Sequence, residues 1–298
     1  MNKIGWLVND MLTCIPGTKT FWHDLLESIP NLIDKTNGYT DYNTLATNIE
    51  NQLKNETPHY IIRNASYFRQ IQTKVPTISL LQDITQNHAV CYSSDIVVAN
   101  SLYTASHYNI TQIKKIEIIP LGIDFDFFNV DQNYSEELDI LPNSVLFIGA
   151  ANVHPKGFNL LTEIINKTNY NFCLVMKDNY SIDHPRIKVF NKINAPMIKK
   201  IINSCILCIC TSKVETQHLA GLEAAACNLP LLTTNVGAYF NRRYGAWGCV
   251  CNSIDNFIYN INYVINNREK FNPREYFIEQ GFNKKDCMNK WKKVCELI

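Results

Sequence analysis

The chain has 298 residues and 46% hydrophobic residues, enough for two domain cores, with a formal net charge of +1 and only 18% charged residues. That balance excludes a broad electrostatic footprint for nucleic acid, and no apolar run approaches the ~18 residues of a membrane span. Eleven cysteines, mostly inside apolar strands, together with a start that leads from Met1-Asn2-Lys3 straight into a strand, point to reduced thiols and a cytoplasmic chain.

Ile4 to Val8 reads as a first strand. The loop Asn9 to Thr20 carries Pro16-Gly17-Thr18-Lys19 ahead of a helix from Phe21 to Ile29. A strand that enters a glycine-containing loop before a helix is either a ligand-facing turn or a plain surface turn. It is not a phosphate-binding P-loop, since G-x4-G-K-[ST] is absent. Residues 31 to 57 are polar, with short helices or a loop around Asn43 to Leu53. His59 to Arg63 and Pro76 to Leu81 are short strands, and the second ends in Gln82-Asp83-Ile84. Asp83 either positions a hydroxyl ligand or stabilises a turn. Ser94 to Ala99 is a further strand, followed by a helix to about Tyr108 with Ser101 as its N-cap. Lys115 to Leu121 closes this first domain and runs into Gly122-Ile123-Asp124-Phe125-Asp126-Phe127-Phe128, where Gly122 allows a backbone bend.

Residues 129 to 143 are polar and acidic, the composition of a linker. Ser144 to Ile148 is a strand, followed by Gly149-Ala150-Ala151-Asn152-Val153-His154-Pro155-Lys156-Gly157 and a helix from Phe158 to Ile165. Strand Phe172 to Met176 ends at Lys177, and strand Arg186 to Phe190 ends at Asn191-Lys192. Ala195 to Asn203 has Ile198, Ile201 and Ile202 on one helical face. Strand Ile206 to Cys210 alternates Cys208 and Cys210 against Cys205, which favours buried thiols over a metal cluster.

The stretch E-T-Q-H-L-A-G-L-E-A-A-A-C-N-L-P, Glu215 to Pro230, organises the chain. Its composition favours helix from about Gln217, and Asn228 with Pro230 ends it. Strand, loop, helix and strand follow one another as in a parallel α/β sheet, whose ligands sit at strand carboxyl ends beside helix N-termini. Such a terminus attracts phosphate through its unpaired amides and positive dipole. A fully helical segment would separate the carboxylates of Glu215 and Glu223 by roughly 12 Å, at 1.5 Å per residue. That exceeds the roughly 5 to 9.5 Å of a glycosidase pair. It suits a long ligand with hydroxyls at both ends and a diphosphate between, the shape of a nucleotide sugar. Asp255 to Asn266 is amphipathic. The last helix, Asp286 to Ile298, gathers Met288, Trp291, Cys295 and Ile298 near one face, with Lys290, Lys292 and Lys293 as an alternative membrane-surface face.

The spacing E-x7-E, then A-x-A-C-x-x-P and an apolar strand, resembles the donor-site signature of retaining GT-B glycosyltransferases, in particular glycosyltransferase family 4. I-P-x-G-I-D-x-x-x-F, from Ile119 to Phe128, resembles the link between that family's domains, and Gly149 to Gly157 resembles its G-R-x-x-x-x-K-G turn. The resemblance implies an α/β GT-B fold of two Rossmann-like domains with parallel sheets facing across a cleft. They would span 1–128 on the acceptor side and 144–275 on the nucleotide-sugar side. Residues 276–298 would form a helix packing back on the first domain.

It further implies a metal-independent, retaining glycosyltransferase of the hexosyltransferase type, with a UDP- or GDP-sugar as donor and no cofactor. The acceptor would be a glycan, lipid or protein hydroxyl, and a peripheral membrane contact is compatible with it. In this reading Lys156 binds the donor diphosphate and Glu215 contacts the transferred sugar. Glu223 holds the ribose, and Asn191 lies at the base. Gly149, Gly17 and the segment His218, Leu219, Ala220 and Gly221 complete the donor site. Thr18, Asp83 and Ser101 face the acceptor. Bland alternatives stand beside these: a solvated Lys156, a capping Ser101 and a tightly packed Gly221. The chain departs from the pattern at Gln82 for a His, at a single Gly17 for two glycines, at Gln217 for a Phe, at His218 for a Gly and at Ala150 for the diphosphate-binding Arg. Lys177 is the expected substitute cation, ahead of His154 and His218. The Ala150 departure also keeps open a silent sugar-nucleotide-binding homologue, and a GT-B epimerase is a further alternative.

Overall fold

Short apolar runs bounded by turns suit strands buried on both faces, as parallel sheets require. A computed structural model describes residues 3–8, 16–36, 42–64, 71–85, 88–151 and 154–298. It divides into two compact units, Met1–Gly122 with Lys284–Ile298, and Ile123–Asn283. The break falls at Gly122 rather than at 128.

The first unit runs β1 (Gly5–Val8), α1 (Pro16–Ser28), β2 (Leu32–Asp34), α2 (Tyr42–Gln52), β3 (Tyr60–Asn64), β4 (Thr77–Leu81), α3 (His88–Tyr92), β5 (Ile96–Ala99), α4 (Leu102–Ser106) and β6 (Ile116–Ile118). Its six strands form a parallel sheet in the order β2-β1-β3-β4-β5-β6. Leu45, Ala46 and Ile49 of α2 pack on Trp6, Val8 and Ile61. The three-residue β2 lies at the sheet edge, and only one of its residues is strongly apolar on its exposed side, so alternation gave no signal for it. α1 starts at Pro16, where a fixed φ and a missing N–H suit the first helical position. Gly17 and Thr18 are therefore in a helix, not in the loop expected from the sequence.

The second unit runs α5 (Ser135–Leu138), β7 (Val145–Gly149), α6 (Phe158–Lys167), β8 (Phe172–Met176), β9 (Ile187–Asn191), α7 (Ala195–Ile202), β10 (Leu207–Cys210), α8 (Leu219–Ala226), β11 (Leu231–Thr233), β12 (Tyr244–Gly245), β13 (Gly248–Val250), α9 (Ile254–Asn266) and α10 (Pro273–Glu279). Its seven strands are ordered β12-β13-β11-β10-β7-β8-β9, all parallel except the β12–β13 pair. α6 and α9 cover one face, through Leu161, Ile164, Phe257 and Ile261. α7, α8 and α10 cover the other, through Ile201, Leu222 and Phe277. α10 belongs to this unit, whereas the sequence reading began the closing helix at 276.

The chain ends in α11 (Lys284–Glu296), which belongs to the first unit. Trp291 packs at 5.9 Å on Phe21 of α1, and Lys284 pairs with Asp24 at 2.5 Å. The exit from the first unit turns at Gly122, with φ +82° and a position where a Cβ would lie 2.9 Å from the Lys284 backbone. Asp124 then closes the next turn by accepting from the amides of Asp126 and Phe127 at 3.1 and 2.8 Å.

Arg274 of α10 ties this turn to α8. Its guanidinium donates to the carbonyls of Phe125 at 2.9 Å and Phe128 at 3.0 Å, and to that of Ala226 at the C-terminal end of α8. A cation suits that end of a helix dipole. Arg274→Met strands three acceptors. Denaturant unfolding of the full chain is expected to show a loss of about 2–4 kcal/mol, given ~1.5–3 kcal/mol for one charged hydrogen bond. Arg274→Lys is expected to recover only part, because a single ammonium cannot span the three carbonyls.

Candidate functional site

The second sheet grows outward from β7 in both directions, towards β8 and β9 on one side and β10 and β11 on the other. Where strand order reverses in this way, the loops leaving the two central strands diverge and open a crevice at their carboxyl ends. The loop after β7 carries Ala150 to Gly157, and the loop after β10 carries Thr211 to His218.

These two loops are joined backbone to backbone. Gly157 has φ +67°, and a Cβ there would stand 1.8 Å from the Thr211 carbonyl oxygen, so only glycine fits. The Lys213 amide donates to the Pro155 carbonyl at 2.7 Å, and the Thr211 hydroxyl donates to the Lys156 carbonyl at 3.3 Å. The seam delivers Lys156 Nζ to 2.6 Å from Glu215 Oε1. Ser212 Oγ donates to the same oxygen at 3.0 Å, and the Thr234 hydroxyl holds the Ser212 carbonyl. The Glu215 side chain keeps 12% exposure and that of Lys156 35%, so the pair is recessed but open.

α8 begins at Leu219, two residues later than composition suggested, because His218 adopts φ 63° and breaks the helical path. No side chain caps this end. The amides of Leu219, Ala220 and Gly221 have no acceptor among the described residues, and the helix dipole is positive here. His218 is buried with its Nδ1 3.2 Å from the Tyr239 hydroxyl. Burial pulls its imidazole down to about 4, against the upward influence of Glu215, which favours the neutral ring at pH 7. Tyr239 in turn stacks on Trp247 at 5.4 Å. Gly221 makes room for this contact: a Cβ would lie 2.3 Å from the Tyr239 hydroxyl and 2.5 Å from His218 Nδ1. Gly221 is thus tightly packed against both side chains.

Glu223 sits one turn into α8, half-buried. Its carboxylate has no hydrogen bond or ion pair among the described residues, and burial pushes it up to about 7.

The remaining predicted positions lie as follows. Ala150 is buried and brings no polar group to the β7 loop. Gly149 ends β7 with the Phe147 ring folded against its open side. Lys177 follows β8, exposed, with its amide bonded to the Gly149 carbonyl at 2.8 Å and its ammonium unpaired among the described residues. Asn191 is committed elsewhere: its amide group spans the Tyr180 backbone at 3.1 and 2.9 Å. In the first unit, the Asp83 carboxylate accepts from the amide and hydroxyl of Thr85 at 3.1 and 3.2 Å, which is a turn. The Ser101 hydroxyl caps α4 by accepting from the Thr104 amide at 3.1 Å. The loop 9–15, which precedes Gly17, and the side chains of Thr18 and His154 lie outside the described residues.

Ser212, Thr211 and Tyr239 belong to this corner and were not anticipated. A Thr-Ser pair directly after an apolar strand was a usable signal for the first two. Tyr239, over twenty positions from His218, had none.

Residues 142–267 match the family described as glycosyl transferases group 1. The matched stretch lies within the second unit. No curated protein sequence matches the chain. Among solved structures, sucrose-phosphate synthase from Thermosynechococcus elongatus has a TM-score of 0.79 at 11% identity, covering 99% of each chain. Anabaena HepE in complex with UDP and glucose has a TM-score of 0.74 at 14% identity, over 99% of this chain and 100% of that one. The lipopolysaccharide outer core galactosyltransferase WaaB has 0.75 at 12% identity, over 99% of each. At these identities the likeness establishes the fold: α/β, with parallel sheets, as in GT-B glycosyltransferases.

The environment of Glu223 makes a testable difference. Its folded value near 7 lies above its ordinary 4.5. The preference of the folded chain for the neutral acid is therefore fully present below 4.5 and lost as pH rises through 7. Glu223→Gln stays neutral throughout. Unfolding experiments are expected to show it matching the wild type near pH 4 and exceeding it near pH 8, by on the order of 1–3 kcal/mol.

Proposed function

We propose that the chain is a glycosyltransferase that moves a sugar from a nucleotide-sugar donor to an acceptor hydroxyl, with retention of anomeric configuration and without a metal. What carries this reading is one corner that combines a Lys156–Glu215 pair at 2.6 Å, three unpaired amides at the start of α8 and an unpaired carboxylate on that same helix. A UDP- or GDP-sugar has the matching sequence of groups. The amides of Leu219, Ala220 and Gly221 and the Lys156 ammonium would take the diphosphate. Glu223 would accept from the ribose hydroxyls. Glu215, steadied by Lys156 and Ser212, would accept from hydroxyls of the transferred sugar.

As the sugar–phosphate bond opens, negative charge builds on the leaving diphosphate and positive charge on the sugar ring. Lys156 and the α8 amides stabilise the first, and the Glu215 carboxylate lies on the side of the second. The departing phosphate oxygen takes the proton of the acceptor, so no protein base is assigned. Asp83 and Ser101 follow the carboxyl ends of β4 and β5, the ligand-facing end of the first unit's sheet. There we place the acceptor, a hydroxyl of a glycan, lipid or protein, in the cytoplasm, with peripheral contact to a membrane surface compatible with the reading.

Ala150 supports a second reading, a chain that binds sugar nucleotides without transferring. One charged hydrogen bond is worth roughly 1.5–3 kcal/mol, and the unpaired Lys177 on the adjoining strand end is the candidate to restore it. Calorimetry with UDP- and GDP-sugars, paired with a labelled-donor transfer assay and NMR of the product anomer, separates the two. Saturable donor binding with retained-configuration product is expected. Lys156→Ala is expected to cut turnover by about 10²-fold or more while circular dichroism is unchanged, and Lys177→Ala to weaken donor binding. Binding without any product would favour the silent reading. Wild-type turnover in Lys156→Ala would remove this site assignment.

A further inference from the structure

The first unit carries a polar cavity, independent of the donor reading above. Arg63 of β3 is 2% exposed. Its Nε donates to Ser79 Oγ at 2.9 Å, and its Nη2 donates to the Val90 carbonyl and Ser94 Oγ, both at 3.0 Å, with Ser93 Oγ at 3.3 Å. No carboxylate forms an ion pair with it among the described residues, and Nη1 has no partner among them. The Asp95 carboxylate acts on it through space without pairing directly, and burial pulls this guanidinium down to about 10, still protonated at neutral pH.

Arg63 lines a cavity of about 210 Å³ together with Lys74, Thr77, Ser93, Asp95 and Lys114. Thr77 opens β4, Asp95 precedes β5 and Lys114 precedes β6. The cavity is therefore at the amino ends of these strands, the opposite end of the sheet from Asp83 and Ser101. The Asp95 carboxylate is already engaged, accepting from the Lys114 ammonium and the Thr77 amide, each at 2.9 Å. Three cations and one carboxylate thus line the cavity. Lys74 is exposed and lines the cavity at its rim.

We propose that this cavity binds a small oxyanion, inorganic phosphate or the phosphate group of a small metabolite, with Arg63 Nη1 as its buried donor and Lys74 and Lys114 closing on it from the rim. A guanidinium with one free N–H edge and two flanking ammonium groups matches a tetrahedral oxyanion, and the size of the cavity leaves room for a short carbon chain but not for a nucleotide.

The test is thermal unfolding of the full chain titrated with inorganic phosphate, and separately with glycerol phosphate, at constant ionic strength against chloride. A bound ligand raises apparent stability as RT ln(1 + [L]/Kd). Three proteins are compared: wild type, Lys156→Ala to disable the phosphate-seeking corner of the second unit, and Lys74→Glu with Lys114→Ala, which changes only exposed side chains. A saturable rise is expected in wild type and in Lys156→Ala, with at least a tenfold weaker apparent affinity in the lysine double variant. The Arg63 Nε–H resonance is expected to shift on the same titration curve. A larger response to glycerol phosphate than to phosphate assigns the site to a metabolite, and the reverse order assigns it to the free ion. No saturable rise, or a rise lost in Lys156→Ala and kept in the lysine double variant, would overturn the proposal.

Discussion

The second unit's site depends on one backbone contact: the Cα of Gly157 pressed against the Thr211 carbonyl. Any side chain at 157 would occupy the space of that carbonyl. Because the two loops touch there without side chains between them, the residues immediately before and after are forced together. Lys156, the residue before Gly157, meets Glu215, four residues past Thr211. Sheet topology sets up this encounter, since β7 and β10 are neighbours in space yet separated in sequence by two strands and two helices. A charge pair built on such a seam keeps its geometry with little reliance on its own attraction, which at partial exposure is worth little.

The start of α8 is held by a different device. His218 turns the chain through a left-handed conformation. The Tyr239 hydroxyl holds its ring, the Trp247 ring backs Tyr239, and Gly221 leaves space for the pair. The consequence is a helix end with bare amides and no capping side chain, next to a neutral histidine. Glu223 adds a half-buried carboxylate with no partner among the described residues. Both features cost folding stability. Both are the kind of local inconsistency that a ligand-binding site retains. A diphosphate and a pair of hydroxyls would satisfy the amides and the carboxylate together.

Much of this was readable from residues alone. The central strands of both sheets were visible as short apolar runs, because a parallel strand is buried on both faces and needs no alternation, whereas the short edge strands β2 and β12 were not. Glu215 and Glu223 are singled out by their spacing around a strand–loop–helix unit, and Lys156 by the resemblance of its loop to the family's G-R-x-x-x-x-K-G turn. The onset of α8 was placed too early, because helix propensity does not register that His218 sits at φ 63°. Gly17 and Thr18 were assigned to a loop because glycine read as a breaker, whereas Pro16 starts a helix there. Asp83, Ser101 and Asn191 have side chains engaged in a turn, a cap and a loop clamp, local partners that spacing arguments do not weigh. Arg63 drew no attention in the sequence, where it ends an apolar run. Its burial among Ser79, Ser93 and Ser94 depends on pairing between strands and is visible only in three dimensions.

The central claim is that a nucleotide sugar occupies the crevice between the β7 and β10 loops. A crystal structure of the full chain with a non-hydrolysable UDP-sugar tests it most directly. The account predicts the diphosphate on the amides of Leu219, Ala220 and Gly221 and on Lys156 Nζ, with the ribose hydroxyls on Glu223. A diphosphate bound elsewhere, or a Glu223 carboxylate that touches only protein in the complex, would contradict it.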